Sequence, residues 1–211
     1  QRGQYAVFAE LSSAPTSMEA NRLCDAYSVQ ISDDPDDPYV IEVGDADQAY
    51  TQADPDPENP TWLRLPIELQ PAWWKDFHDP VVMLEKNLYG HPIAGGLWER
   101  HCEEKVIIEA FVPVENMPSV FWHDELEVIL IIYVDDFKLA GKRSRVKKAW
   151  EKIRKHIKMG EPEVAVRFLG IHQQIHRDVA PACFDACKEK PMISKDKVEQ
   201  KPASTQEGFN Y

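Results

Sequence analysis

Residues 119–141 read SVFWHDELEVILIIYVDDFKLAG. Two apolar runs flank the polar triplet His123, Asp124 and Glu125, a pattern that predicts one β-hairpin. The second run holds six consecutive apolar residues, Val128 to Tyr133, and leads through one valine into Asp135 and Asp136 before another short strand, Phe137 to Ala140. The segment is therefore a β-meander with acid at a turn. Adjacent carboxylates after an apolar run repel one another where water solvates them poorly, so something must offset that repulsion. A divalent cation does so most directly, since Mg²⁺ prefers hard oxygen ligands and binds through a couple of carboxylates plus substrate phosphates. The plainer alternative is a solvent-exposed Asp-Asp hairpin turn.

Upstream, YVIEV (39–43) reads as a strand that ends at a third acid in the run VGDADQAY (43–50), after the turn-rich ISDDPDDPY. Near the start, APTSMEANRLCDAY predicts a helix with Thr16 as N-cap, Glu19 in capping-box spacing, and Ala20, Leu23, Cys24 and Tyr27 on one face. TQADPDPENP is a second turn-rich stretch, and TWLRLPIEL after it has strand character. Between Leu84 and Ala110 the pattern is an extended entry, a Tyr89–Gly90 turn, and a helix opening with Pro92 and including Ile93, Leu97, Trp98 and Cys102. Gly95 and Gly96 each cost that helix about 1 kcal/mol relative to Ala, which close approach by another backbone or a ligand would compensate. Downstream, KRSRVKKAWEKIRKHIK spaces Val146, Ala149, Trp150, Ile153 and Ile157 as a helix, and RFLGIHQQI returns as a strand.

The 211 residues are 43% hydrophobic and can bury one sizeable core. No apolar run reaches the roughly 18 residues of a membrane span, and four scattered cysteines do not make a disulfide framework. A soluble, intracellular protein is expected. The first residue is Gln, and with the strand-like QYAVFAEL it suggests a fragment of a longer reading frame. Net charge is −12, but it is unevenly spread: residues 31–60 carry ten acids and no Lys or Arg, whereas Lys142 to Lys158 carries nine basic residues and one acid. That helix could track a phosphate backbone or simply be a solvated face.

Tyr133-Val134-Asp135-Asp136 on a hairpin, with Asp45 followed five residues later by Tyr50 after Ala49, resembles the palm motifs of reverse transcriptases. KNLYGHPIAGGLW (86–98) and RFLGIH (167–172) resemble the corresponding blocks of copia-type LTR retrotransposons, in the same order, and APTSMEANRLCDA resembles their fingers segment. The resemblance covers roughly residues 5 to 176 and implies an α+β palm with partial fingers and no thumb over residues 1–176, with 177–211 as a polar, disordered tail. It further implies two-metal, RNA-directed DNA synthesis. Asp45 and Asp135 would bridge two Mg²⁺ ions, with Mn²⁺ as a substitute and Asp136 as a supporting acid. Tyr50 would be the steric gate that selects deoxynucleotides, unless it is an ordinary core tyrosine. Ala46 and Tyr133 would also line the nucleotide site, and Phe168, Leu169 and Gly170 would contact the primer strand. The implied partners are an RNA template, a DNA or RNA primer, deoxynucleoside triphosphates and the rest of a Pol polyprotein, with no membrane. The implied location is the cytoplasm, in a virus-like particle, or the nucleus.

Two departures stand out. His91, Pro92 and Ile93 replace the family's Leu-Lys-Gln, and isoleucine offers no hydrogen bond where a glutamine would hold the incoming nucleotide. Basic residues to grip a triphosphate are not evident beyond Arg2, Arg22 and Arg64. A truncated, noncatalytic remnant that keeps only the palm fold is thus an alternative. A small zinc module is another, because His172, His176, Cys183 and Cys187 offer zinc-type ligands.

Overall fold

The computed structural model describes residues 16–172. The chain divides into two units, Gln1–Gln174 and Ile175–Tyr211, and every described residue belongs to the first. Its elements are α1 (Met18–Ser28), β1 (Tyr39–Asp45), α2 (Ala49–Gln52), β2 (Trp62–Leu63), β3 (Val82–Met83), α3 (Ala94–Ile108), β4 (Val112–Pro113), β5 (Val120–His123), β6 (Val128–Tyr133), β7 (Asp136–Lys142), α4 (Arg143–Ile153), β8 (Glu163–Val164), β9 (Arg167–Phe168) and β10 (Ile171–His172). A six-stranded sheet runs in the order β4-β5-β6-β7-β1-β8, with every pairing antiparallel. β2 pairs with β3, and β9 with β10, as separate two-stranded ribbons. The fold is therefore α+β, as expected.

Register assigns the faces. Residues directly opposite in an antiparallel pair point to the same side, so Tyr39, Ile41, Val43 and Asp45 share a face with Lys142, Ala140, Lys138 and Asp136, and these with Ile129, Ile131 and Tyr133. α1 covers this face: Tyr27 packs edge-on against both Tyr39 and Trp122, at ring separations of 5.4 and 5.6 Å. α3 and α4 cover the other, where Trp98, Cys102, Val106, Val146, Trp150 and Ile153 join Phe121, Leu130, Phe137 and Leu139 in one core. β6 lies between the two layers. Five of its six residues are buried, which is why its sequence is continuously apolar where a one-sided strand would alternate. A Cβ added at Gly44 would come within 3.2 Å of the Trp150 ring, a tight contact, so glycine lets that indole lie close against β1 one residue before Asp45.

Among the described residues, one cation is wholly inside. Lys138 is completely buried, its Nζ donating to Asn21 Oδ1 and Asp25 Oδ1, both at 2.5 Å, and lying 4.9 Å from the centre of the Phe168 ring. It joins α1, β7 and the β9–β10 ribbon at one point. This explains why α1 buries Asn21 along with Ala20 and Cys24 while Leu23 stays exposed, contrary to the expected apolar face.

Other expectations need correction at element ends. Ser17, rather than Thr16, caps α1: its Oγ accepts from the Ala20 N–H at 3.2 Å, three residues on, where Thr16 would be one residue too early. α3 begins at Ala94, and Pro92 sits in the preceding turn, closed by the Ala94 N–H on the His91 carbonyl. Only Trp62–Leu63 of TWLRLPIEL is strand, because the Pro66 ring removes a donor and the chain goes on in 3₁₀ turns. RFLGIH does not run straight. Leu169 (φ 48°) and Gly170 (φ 78°) both adopt left-handed backbone and fold it into a two-residue hairpin.

The buried cation predicts an asymmetry in stability. Asp25→Ala strands an ammonium in the interior and should cost roughly 3 kcal/mol. Lys138→Met leaves only a partly exposed carboxylate to be rehydrated and should cost clearly less. Urea denaturation of both variants checks this, and a larger loss in Lys138→Met would refute it.

Candidate active site

The acids gather at one end of the sheet. Asp45 is the last residue of β1 and Asp136 the first of β7; they are direct cross-strand partners, and Tyr133 pairs with Asp136 on its other side. Cβ atoms of such partners lie about 4.5–5.5 Å apart. Asp135 occupies the two-residue turn between β6 and β7, and its carbonyl accepts from the Ala46 N–H at 2.9 Å. That bond ties the end of β1 to the hairpin although 89 positions separate the two residues (135 − 46).

The turn itself is strained. Val134 has φ 57°, a left-handed conformation that a β-branched side chain rarely tolerates. Positive φ at the first turn position fits the primed turns that two-residue hairpins need. The Trp98 indole N–H donates to the Val134 carbonyl at 2.5 Å and so holds the turn from α3. Strain kept in place by a surrounding contact is a usual mark of a working site.

Electrostatics point the same way. Burial, then Asp135 and Asp47, push the Asp45 carboxyl above its ordinary range. Burial, then Asp135 and Asp45, do the same to Asp136. Among the causes for these two acids the neighbouring charges are all carboxylates, so the cluster is a local concentration of negative charge. Hard oxygen donors of this kind fit Mg²⁺ or Mn²⁺. Among the described residues no group of three or more His, Cys, Asp or Glu side chains is arranged as a ready-made metal cage. A site completed by phosphate oxygens needs only a couple of carboxylates from the protein.

Tyr50 adjoins this cluster. After β1 the chain turns through Gln48 (φ 48°) into the short α2, which buries Ala49 and half-buries Tyr50. Burial first, then Asp135 and Tyr89, raise the Tyr50 phenol, and its ring lies 4.6 Å from that of Tyr89. Two supports escaped the sequence reading. Tyr89 was visible only as part of a turn. Gln52 donates to the carbonyls of Asp47 (2.7 Å) and Lys158 (2.8 Å) and accepts from the Lys158 N–H (2.8 Å), clamping α2 to the segment after α4. No local pattern signals such a clamp, because its partners are 106 residues apart.

A cleft of about 670 Å³ contains Asp45, Asp136, Arg167 and the Phe168–Gly170 turn. The structure thus brings the first acid, the last acid and the ribbon tip to one cavity. Phe168 itself is buried beneath Lys138, so it anchors the ribbon, while Leu169 and Gly170 form its more exposed tip.

Other candidates lie elsewhere. α4 covers the opposite face of the sheet, and several charges on it and just after it are paired: Arg145 with Glu127, Arg154 with Glu161, and Lys152, Lys155 and His156 with Glu109. The hydrogen bond from His156, followed by those from Lys152 and Lys155, holds the Glu109 carboxyl down at about 2. Arg64 is engaged by Asp79 through two 2.5 Å bonds; Arg22 is exposed on α1; Arg2 lies outside the described residues. His91 Nε2 is 2.9 Å from Thr61 Oγ1, and Ile93 is half-buried at the start of α3. Of the zinc-type set, His172 is exposed on β10, and His176, Cys183 and Cys187 fall outside the described residues, as does the expected tail. No helix among the described residues is long and apolar enough to cross a membrane.

No known protein family matches this chain, and no curated protein matches it either.

Two outcomes follow from the charges. Because the folded state raises the Asp136 carboxyl, ionisation there opposes folding, an effect absent below the ordinary carboxylate range and complete once pH exceeds the raised value. Asp136→Asn should therefore stabilise the protein at pH 7, by about 0.5–2 kcal/mol, and a loss of stability in urea titration would contradict the assignment. Glu109 behaves oppositely: its contribution is present above the ordinary carboxylate value and vanishes as pH falls towards about 2. Denaturation midpoints of the parent and Glu109→Gln should converge over that acid window.

Proposed function

We propose that this chain is the palm, with partial fingers, of a copia-type retrotransposon reverse transcriptase, and that it carries out RNA-directed DNA synthesis. The observation that carries the reading is the register Asp45↔Asp136 with the Asp135 carbonyl bonded to Ala46. It unites the two separate sequence blocks that the family resemblance marks as catalytic. Asp45, Asp135 and Asp136 would hold two Mg²⁺ ions, Mn²⁺ substituting. Such a pair supplies activation of a primer 3′-hydroxyl and stabilisation of leaving pyrophosphate in an in-line displacement.

The chain's own groups set geometry and selection. Tyr50, braced by Tyr89 and next to Asp135, presents a rigid ring that leaves no room for a 2′-hydroxyl, so deoxynucleoside triphosphates are selected. Ala46 gives a flat, buried floor beside the nucleotide, and Tyr133 stands next to Asp136 where a primer terminus would end. Phe168 holds the ribbon in the core while Leu169 and Gly170 reach the primer strand across the cleft. An RNA template, a DNA or RNA primer and the remainder of a Pol polyprotein complete the proposal, with action in a cytoplasmic virus-like particle or the nucleus.

A second reading, a noncatalytic remnant, is favoured by Ile93 in place of the glutamine and by Arg64 being engaged with Asp79. Primer extension on an RNA template with Mg²⁺ and deoxynucleotides, by this chain joined to a thumb domain, separates the two. Extension that Asp135→Asn abolishes supports the polymerase. A folded protein that binds primer-template without extending it supports the remnant. In the active case Tyr50→Val should raise ribonucleotide incorporation by roughly tenfold or more; unchanged discrimination removes Tyr50 as the gate.

A further inference from the structure

Asp45 and Asp136 belong to paired strands, but Asp135 sits in the two-residue turn between the partners Tyr133 and Asp136. The direction of its carboxylate is therefore set by the backbone of the turn. Positive φ at Val134 (57°) followed by negative φ at Asp135 is the pattern of a type II′ turn. Type I′, the other common closure of such a hairpin, also has positive φ at the first position. It differs by turning over the central peptide unit, the Val134 carbonyl and the Asp135 N–H, which makes φ positive at Asp135 as well. Local sequence does not choose between the two. Valine is disfavoured at the first position of both, and aspartate is one of the few residues that tolerate left-handed backbone at the second. The choice falls to contacts from outside the turn, and two of these flank Asp135. The Trp98 indole N–H donates to the Val134 carbonyl at 2.5 Å on one side, and the Ala46 N–H donates to the Asp135 carbonyl at 2.9 Å on the other. The indole is itself fixed: Trp98 is buried in the core, and the His101 ring stacks on it at 5.6 Å and 19°.

We propose that Trp98 is a positioning residue for Asp135: its indole N–H holds the central peptide of the turn in the type II′ orientation and so fixes the direction of the Asp135 carboxylate. With both flanking peptides pinned, Asp135 keeps one backbone conformation, and the side-chain rotamers open to a residue depend on that conformation. Burial raises Asp45, Asp136 and Tyr50 most, and the Asp135 carboxylate comes next for all three, which places it among them. Without the indole N–H, the Val134 carbonyl would face a buried ring with its partner gone, a costly state for an acceptor. Turning the peptide over relieves that cost and changes the sign of φ at Asp135, so the carboxylate is re-aimed. Functional side chains need supports whose own rotamers are locked by packing, and the buried, stacked indole meets that requirement. The bond spans 36 positions and couples the first turns of α3 to the acidic hairpin. A consequence for nucleotide addition rests on the polymerase reading; the hold on the turn does not.

The test puts benzothienylalanine in place of Trp98 in the full chain, so that sulfur replaces the indole N–H while the bicyclic ring keeps its size. Trp98→Phe is a coarser second variant, and if it fails to fold the benzothienylalanine chain still decides. Crystal structures should show the Val134–Asp135 peptide in one orientation in the parent and turned over, or in both orientations, in the variant. A variant turn identical to that of the parent, with negative φ at Asp135 and its carboxylate in place, would overturn the proposal. In primer extension with a thumb domain joined, the variant should lose roughly a hundredfold in kcat, as a misplaced reacting group does, with KM for the deoxynucleotide unchanged. A variant that keeps the kcat of an active parent, or that changes only KM, would also overturn it. A parent that extends no primer would sink the polymerase reading, and the comparison of the two turns would still decide this one.

Discussion

The β1–β7 ladder is the constraint on which the rest of the molecule depends. It pairs Tyr39 with Lys142 at one end and Asp45 with Asp136 at the other. A slip of one residue would move every side chain of a strand to the opposite face. Lys138 would then leave Asp25 and Asn21, Gly44 would no longer face Trp150, and the acids would lose their common side. Each of these contacts pins the same register from a different direction: a buried ion pair on one face, a close indole packing on the other, and the Ala46–Asp135 bond at the end.

The ladder delivers an acidic cluster that the fold itself disfavours. Burial and mutual repulsion work against Asp45 and Asp136, and Val134 is held in a left-handed conformation that suits glycine. The surrounding core over-determines this arrangement, through Trp98 on the Val134 carbonyl and through the two packed layers around β6. Elsewhere the same protein matches its charges with care, as Glu109 with three basic partners shows. Acids whose charged forms are disfavoured by burial and by one another are the kind of perturbed groups that mark a candidate site for chemistry or for a ligand.

The basic helix illustrates how placement alters a sequence-level impression. As a linear stretch, nine positive charges invite a phosphate backbone. In three dimensions α4 lies on the face away from the acidic cleft, and Glu127, Glu109 and Glu161 pair with Arg145, Lys152, Arg154 and Lys155 of the run. Among the described residues, the cleft that does hold Asp45 and Asp136 is lined by a single basic side chain, Arg167.

By itself the sequence determined the local grammar of the protein. The apolar run of β6, the acids after it, the strand ending at Asp45 and the helical spacing of Val146, Ala149, Trp150 and Ile153 are all readable, because hydrophobic periodicity and turn residues act over a few positions. Only tertiary structure decided which of those pieces meet. The shift of the α1 face to Asn21, the burial of Lys138, the hairpin at Leu169–Gly170 and the Gln52 clamp all depend on partners distant in the chain. Their physical cause is packing and charge compensation between elements, which no local pattern of residues encodes.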